Sequence, residues 1–160
     1  ELLVTGAPAR VINVSSSMHV RPKSLEWDDL MFEKRWRGFK AYGHSKLANV
    51  MFSNELARRW QGLGVTSNAL NPGNVRSRIT RNNVFLNALH RSPFARLVIM
   101  TEEDGAKTSL YVATDPELED ESGRYFDKSR QSRASKYARD PEAGKRLWDV
   151  SELLVHEALG

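Results

Sequence analysis

Tyr42 and Lys46 stand four positions apart in the run Tyr42-Gly43-His44-Ser45-Lys46. On a helix that spacing puts both side chains on one face, one turn apart. An ammonium beside a phenol favours the phenolate, which makes the ring a usable acid or base near neutral pH. Such a pair also arises by chance, so its company matters. Ser15 and Ser16 follow one short β-branched run, and Pro72-Gly73 follow another. Ligands of open α/β sheets bind beyond the carboxyl ends of the strands, where these groups would gather. His19 and His44 flank them without metal-ligand spacing, and no metal site is expected. His44 is expected on the helix surface or at the rim of a substrate site, and His90 and His156 are expected to be structural or exposed. No carboxylate pair suggests a glycosidase or protease. No G-x-S-x-G elbow surrounds Ser16, which argues against a serine hydrolase.

The elements that must position these groups alternate in type. Residues 9–15 read as a buried strand of a parallel sheet. Residues 17–38 read as a long loop with one helical turn near Asp28 to Phe32. A helix is predicted over 40–61, with Ala48, Phe52, Leu56 and Trp60 on one stripe, Leu47 and Met51 beside it, and Gly62 and Gly64 as its stop. Residues 65–71 read as a second strand, and 93–100 as a weak helix. A helix over 102–114 has Thr101 as N-cap and Ala106, Leu110 and Ala113 on its apolar face. A third strand is predicted over 123–126. A last helix opens at Asp140-Pro141 and is expected to bury Leu147, Val150, Leu154 and Ala158. Alternation of strand and helix implies parallel strands joined by helical crossovers. The fold class is α/β, the C-terminal half of a doubly wound Rossmann-type parallel sheet.

Three segments in order resemble the short-chain dehydrogenase/reductase family, in its retinol dehydrogenase-like branch. They are Asn13-Val14-Ser15-Ser16, Tyr42-Gly43-His44-Ser45-Lys46-Leu47-Ala48-Asn49 and Asn71-Pro72-Gly73-Asn74-Val75. The similarity runs from about residue 9 to the end. It implies NAD(P)-dependent hydride transfer between an alcohol and a carbonyl, on a lipophilic, retinoid- or steroid-like substrate, with NADP(H) favoured. Ser16 matches the catalytic serine that hydrogen-bonds the substrate oxygen, and Tyr42 the acid/base. Lys46 matches the residue that holds the nicotinamide ribose and tunes the tyrosine. Pro72, Gly73 and Val75 match the segment packed against the nicotinamide. Ser77 stands where the family often has a threonine contacting the cofactor. Residues 78–100 would be the variable substrate flap.

The same resemblance says what to miss. The family's glycine-rich turn for the pyrophosphate has no counterpart, since Thr5-Gly6-Ala7 is followed by Pro8 rather than a helix. Asn13 is not the family's tetrad asparagine. Residues 1–160 are thus expected to be the C-terminal part of one domain, without its dinucleotide-binding half. Alone, the chain is expected to bind a dinucleotide poorly and to fold poorly, with an unpaired strand edge at Val11, Ile12 and Val14. The rival reading is a truncated, inactive chain acting only as an interaction partner. The sequence carries a net charge of +4, spread along the chain, and no cysteine. Disulfide and thiolate chemistry are excluded. The five cations of residues 128–139 read as a solvated loop, because no aromatic platform for nucleic acid is interleaved with them. No apolar run reaches the length of a membrane span, and no signal peptide opens the chain. An intracellular protein is expected, with any membrane attachment placed before Glu1. Val50 and Met51 widen the apolar face of helix 40–61, which suggests a homodimer through that helix.

Overall fold

The computed structural model describes residues 2–73, 75 and 100–160. A single helical turn, α1 (Leu2–Thr5), precedes the first strand. The β-branched run then forms β1 (Ala9–Val14). The long helix α2 (Gly38–Arg59) crosses over to β2 (Val65–Asn71), which lies parallel to β1 with Ala9 beside Val65 and Val14 beside Leu70. Helix α3 (Glu102–Thr114) precedes β3 (Tyr125–Asp127), which is parallel to β2. A tight hairpin adds β4 (Arg130–Ser132) antiparallel to β3, and α4 (Pro141–Leu159) follows. The sheet order among the described residues is β1-β2-β3-β4. This is the doubly wound α/β class expected from the sequence.

Alternating side chains send the sheet's two faces into two cores. Ala69 and Tyr125 pack with Leu47, Val50 and Met51 of α2 and with Ala143 of α4. Leu70 and Phe126 pack on the other face with Val112 of α3 and Leu118. Two polar side chains staple the layers. Arg10 Nη1 donates to the carbonyls of Val112 (3.3 Å) and Asp115 (2.8 Å), closing the C-terminal end of α3. Buried Asn68 donates to Glu121 O (2.6 Å) and accepts from Arg124 N (2.9 Å), which holds the approach to β3.

Several expectations need correction. The core stripe of α2 runs through Leu47, Val50, Met51 and Leu56, while Phe52 turns outward to stack on Trp148. Val50 and Met51 are thus consumed by the chain's own core and offer no second surface for a partner. On α3 the buried face is Gly105, Thr108 and Val112, and Ala106 and Leu110 are exposed. The reason is a close approach: a Cβ on Gly105 would collide with the side chain of Val75. On α4 only the first turns are covered, and Leu154 and Ala158 are exposed. The helical turn of the long loop forms at Ser17–Val20, not near Asp28 to Phe32. The third strand lies slightly later than expected, and β4 occupies part of the segment read as loop. Within the described residues β1 pairs with β2 alone and none of its residues is fully buried, as expected for an open edge. The weak helix over 93–100 and the flap over 78–100 lie outside the described residues, apart from Met100.

Asn68→Ala leaves a carbonyl and an amide without their partner. The expected loss of stability is about 2 kcal/mol, read from the midpoint of urea unfolding at unchanged slope. A loss within error would mean that water replaces both bonds.

Candidate active site

The end of β1 carries the first part of the site. Ser15 N continues the ladder to Leu70 O (2.7 Å), and the buried Ser15 Oγ donates to Lys46 O of α2 (2.8 Å). The next residue, Ser16, is extended and caps the Ser17–Val20 turn. Its Oγ accepts from Met18 N (3.2 Å), so its own proton remains to be donated elsewhere. That turn packs against α2, which delivers Tyr42 and Lys46. Lys46 Nζ donates to Val14 O (3.2 Å) and lies 5.6 Å from the centroid of the Tyr42 ring. Asn49, one turn further along, donates to the same carbonyl (3.0 Å). The ammonium is therefore held between the phenol and the carboxyl end of β1.

The end of β2 carries the second part. Buried Asn71 Oδ1 accepts from Ser17 N and from Gly73 N, each at 3.2 Å. Its Nδ2 donates to Asp127 of β3 (2.9 Å). One side chain thus ties together the turns after β1 and β2 and the end of β3. Gly73 has φ +83°, and a Cβ there would run into the sulfur of Met100. Val75 bridges Met100 in parallel and packs against Gly105, which brings the start of α3 up to the Pro72-Gly73 turn. Ser16, Tyr42, Lys46, Pro72, Gly73 and Val75 therefore share one end of the sheet. Ser77 lies outside the described residues.

This geometry can be set beside known proteins. No protein-family model matches the chain. It is 49% identical over 158 residues to human retinol dehydrogenase 12, covering 96% of this chain and 48% of that one. The chain spans about half the length of the curated relatives it matches. Its fold superposes on an uncharacterised protein of Mycobacterium paratuberculosis with a TM-score of 0.66 at 25% identity, covering 91% of this chain and 50% of that one. An NADPH-bound carbonyl reductase from chicken fatty liver shares the fold at a TM-score of 0.53 and 18% identity, covering 78% of this chain and 42% of that one. The chain belongs to the short-chain dehydrogenase/reductase family, in the retinol dehydrogenase-like branch.

Two histidines of the chain do structural work beside the candidate site. His19 is buried, its Nδ1 lies 2.8 Å from Ser16 O, and its Nε2 accepts from Ser135 N (3.2 Å). The second bond requires a bare Nε2, so Nδ1 carries the proton and donates to Ser16 O. The ring also rests 4.6 Å from that of Tyr125. Burial pulls His19 below the ordinary imidazole value, against the opposing pull of the Ser16 carbonyl. His44 is not on the surface as expected. It is buried under the segment that precedes α2, edge-on to Phe32 at 5.2 Å, and its Nδ1 has no partner among the described residues. Burial lowers it too, with Glu26 opposing and Lys40 assisting. Sequence reasoning missed Asn49, Asn71 and His19 as supports. Asn49 alone had a signal, since it sits three positions past Lys46 on the same helix face.

The signs of these shifts fix a pH dependence. A histidine lowered in the fold holds fewer protons there than in the unfolded chain, so its contribution is full above the ordinary value of 6.5 and is lost as pH falls through the folded value. Unfolding free energy should therefore drop between about pH 7.5 and about pH 5.5. In His19→Gln the drop should shrink to the part carried by His44. A stability that rises on acidification over this window would contradict the buried, neutral assignment.

Proposed function

We propose that the protein to which this chain belongs is an NAD(P)-dependent oxidoreductase that interconverts an alcohol and a carbonyl on a lipophilic, retinoid-like substrate. The observation that carries the reading is Lys46 Nζ held on Val14 O beside the Tyr42 ring, at the strand ends that also bear Ser16 and Pro72-Gly73. The names of the relatives support the substrate class, and NADPH is the bound cofactor of the chicken carbonyl reductase.

The residues present fit a nicotinamide cofactor. Val14 O takes one of the three N–H donors of Lys46, and the ammonium has two more for ribose hydroxyls. A nicotinamide cofactor held by Lys46 would supply the donor or acceptor for the hydride of the carbinol carbon. Tyr42 exchanges the matching proton: it takes the hydroxyl proton as the alcohol loses hydride, and returns it to the oxygen when the carbonyl gains hydride. Ser16, whose acceptor capacity is engaged by Met18 N, donates its proton to the same oxygen and steadies its developing charge. Lys46 stands with its ammonium beside the phenol ring and would hold the ribose.

Tyr42→Phe keeps the ring and removes the exchanging proton. In the full-length protein with retinol or retinal, turnover should fall at least about a hundredfold, while unfolding is unchanged. Near-native turnover would end the assignment of Tyr42. Lys46→Met should weaken nicotinamide cofactor binding by about tenfold, the worth of a hydrogen bond to a charged group, and lower turnover as well. Titration calorimetry showing equal affinity, with equal turnover, would make Lys46 a support for β1 and nothing more.

A further inference from the structure

The segment between the Ser17–Val20 turn and α2 buries Leu25 and Phe32 against the core side of α2 and leaves residues 33–40 in solvent. Met31 is 63% exposed, Trp36 72% and Phe39 66%. Single exposed apolar residues are ordinary on a protein surface. Three large ones fall within nine positions of one segment, a density that scattered surface residues do not reach. They are interleaved with Lys34, Arg35, Arg37 and Lys40 against one acid, Glu33.

The polar groups around the patch are mostly committed. Glu26 holds Lys40 at 2.6 Å. Asp29 Oδ1 accepts from the amides of Glu33 (2.8 Å) and Lys34 (3.3 Å), and the Lys34 ammonium donates to Asp28 O (2.9 Å). The guanidinium groups of Arg35 and Arg37 have no partner among the described residues. Between them stands the exposed Trp36. Two guanidiniums without a partner among the described residues, flanking an exposed indole, with a second aromatic ring and a methionine close in sequence, match the chemistry of a bilayer interface. Aromatic rings settle at headgroup depth, and basic side chains meet anionic headgroups.

We propose that residues 31–40 dock this face of the protein on an anionic lipid surface, with Trp36 and Phe39 entering the headgroup layer and Arg35 and Arg37 meeting the lipid phosphates and carboxylates. The charge of the patch selects an anionic membrane over a neutral one. Met31, which offers no ring for a base to stack on, favours lipid over single-stranded nucleic acid. Phe39 precedes Tyr42 by three positions on α2. A docked patch would therefore hold the candidate catalytic turn close to the bilayer, where a lipophilic substrate dissolves. That consequence rests on the proposed function; the docking itself does not.

The test is partitioning onto vesicles of phosphatidylcholine with and without about 30% phosphatidylserine, with a vesicle-free control for self-association. The protein should sediment with the anionic vesicles and release at high salt. Arg35→Glu/Arg37→Glu should reduce the binding by about 30-fold or more, since each lost cation is worth about 1 kcal/mol near such a surface. Trp36→Ser/Phe39→Ser should weaken it on the same vesicles. Both pairs change exposed side chains, and circular dichroism should be unaltered. Brominated lipids should quench tryptophan emission in the wild type and much less in Trp36→Phe, because Trp27, Trp60 and Trp148 are half-buried. Equal binding by the charge-reversed variant, or none by the wild type, would overturn the proposal. So would binding without Trp36 quenching that heparin abolishes, which would make the patch a general polyanion site. Vesicle binding is read without turnover, so it can fail while the assignment of Tyr42 stands, and the reverse.

Discussion

The carbonyl of Val14 is the point on which the site hangs. A strand's last carbonyl must find a donor where the ladder ends, and here it receives two, from Lys46 and Asn49. Both donors stand on one face of α2, so their bonds set the height of that helix against the sheet as well as its rotation. Ser15 Oγ, reaching back to Lys46 O, fixes the same contact from the other side. With the rotation set, Tyr42 has little freedom in where it can stand. Its neighbour Gly43 packs under Met18 O and Pro22, close to the turn that Ser16 caps. The acid/base candidate and the serine are brought to one end of the sheet by backbone acceptors.

Helix α2 can bear this role because it is anchored along its length. Its middle contributes Leu47, Val50 and Met51 to a core shared with β2, β3 and α4. Near its end, buried Glu55 is paired with Arg58 and Arg59, and Arg59 reaches Asp149 and lies over the Trp148 ring of α4. A buried carboxylate is costly alone and tolerable when two guanidiniums share it. At the other end, the Glu26–Lys40 pair and Phe32 cover the first turn. Phe32 adopts φ +56°, an unusual conformation for a residue with a Cβ. It does so while its ring is buried against His44. The same stretch of chain leaves Trp36 and Phe39 in solvent, so the covering of α2 and the display of the apolar patch belong to one segment.

Much of the fold was legible because it rests on side-chain type. The spans of β2 and α3 match the expectation, with Thr101 accepting from Asp104 N as the N-cap. What failed, failed for definite reasons. The buried face of α3 is Gly105, Thr108 and Val112, two of which do not count as apolar in any periodicity. Gly105 is buried because Val75 needs the room, and that contact joins residues thirty positions apart. The β3–β4 hairpin turns on Lys128 and Ser129, both at positive φ, where Asn-Gly would have announced the turn. On α4 the apolar stripe continues past the part that this chain covers, so periodicity predicted a burial that contact does not provide.

The site itself divides along the same line. Tyr42 and Lys46 stood out as candidates by a local spacing, and Ser16 and Pro72-Gly73 by their places after strands, while the role expected of each came from the family resemblance. Their supports did not stand out. Val14, Lys46, Ser16 and Leu70 serve as acceptors through backbone carbonyls, which every residue type possesses. A sequence therefore shows the donors without showing what they hold. Asn71 illustrates the point: its three bonds reach Ser17, Gly73 and Asp127, and two of the three end on backbone amides. An asparagine before a Pro-Gly turn looks like turn chemistry alone. Only when β1, β2 and β3 end side by side does it become the tie between them, and that alignment is a property of the sheet's register rather than of any residue.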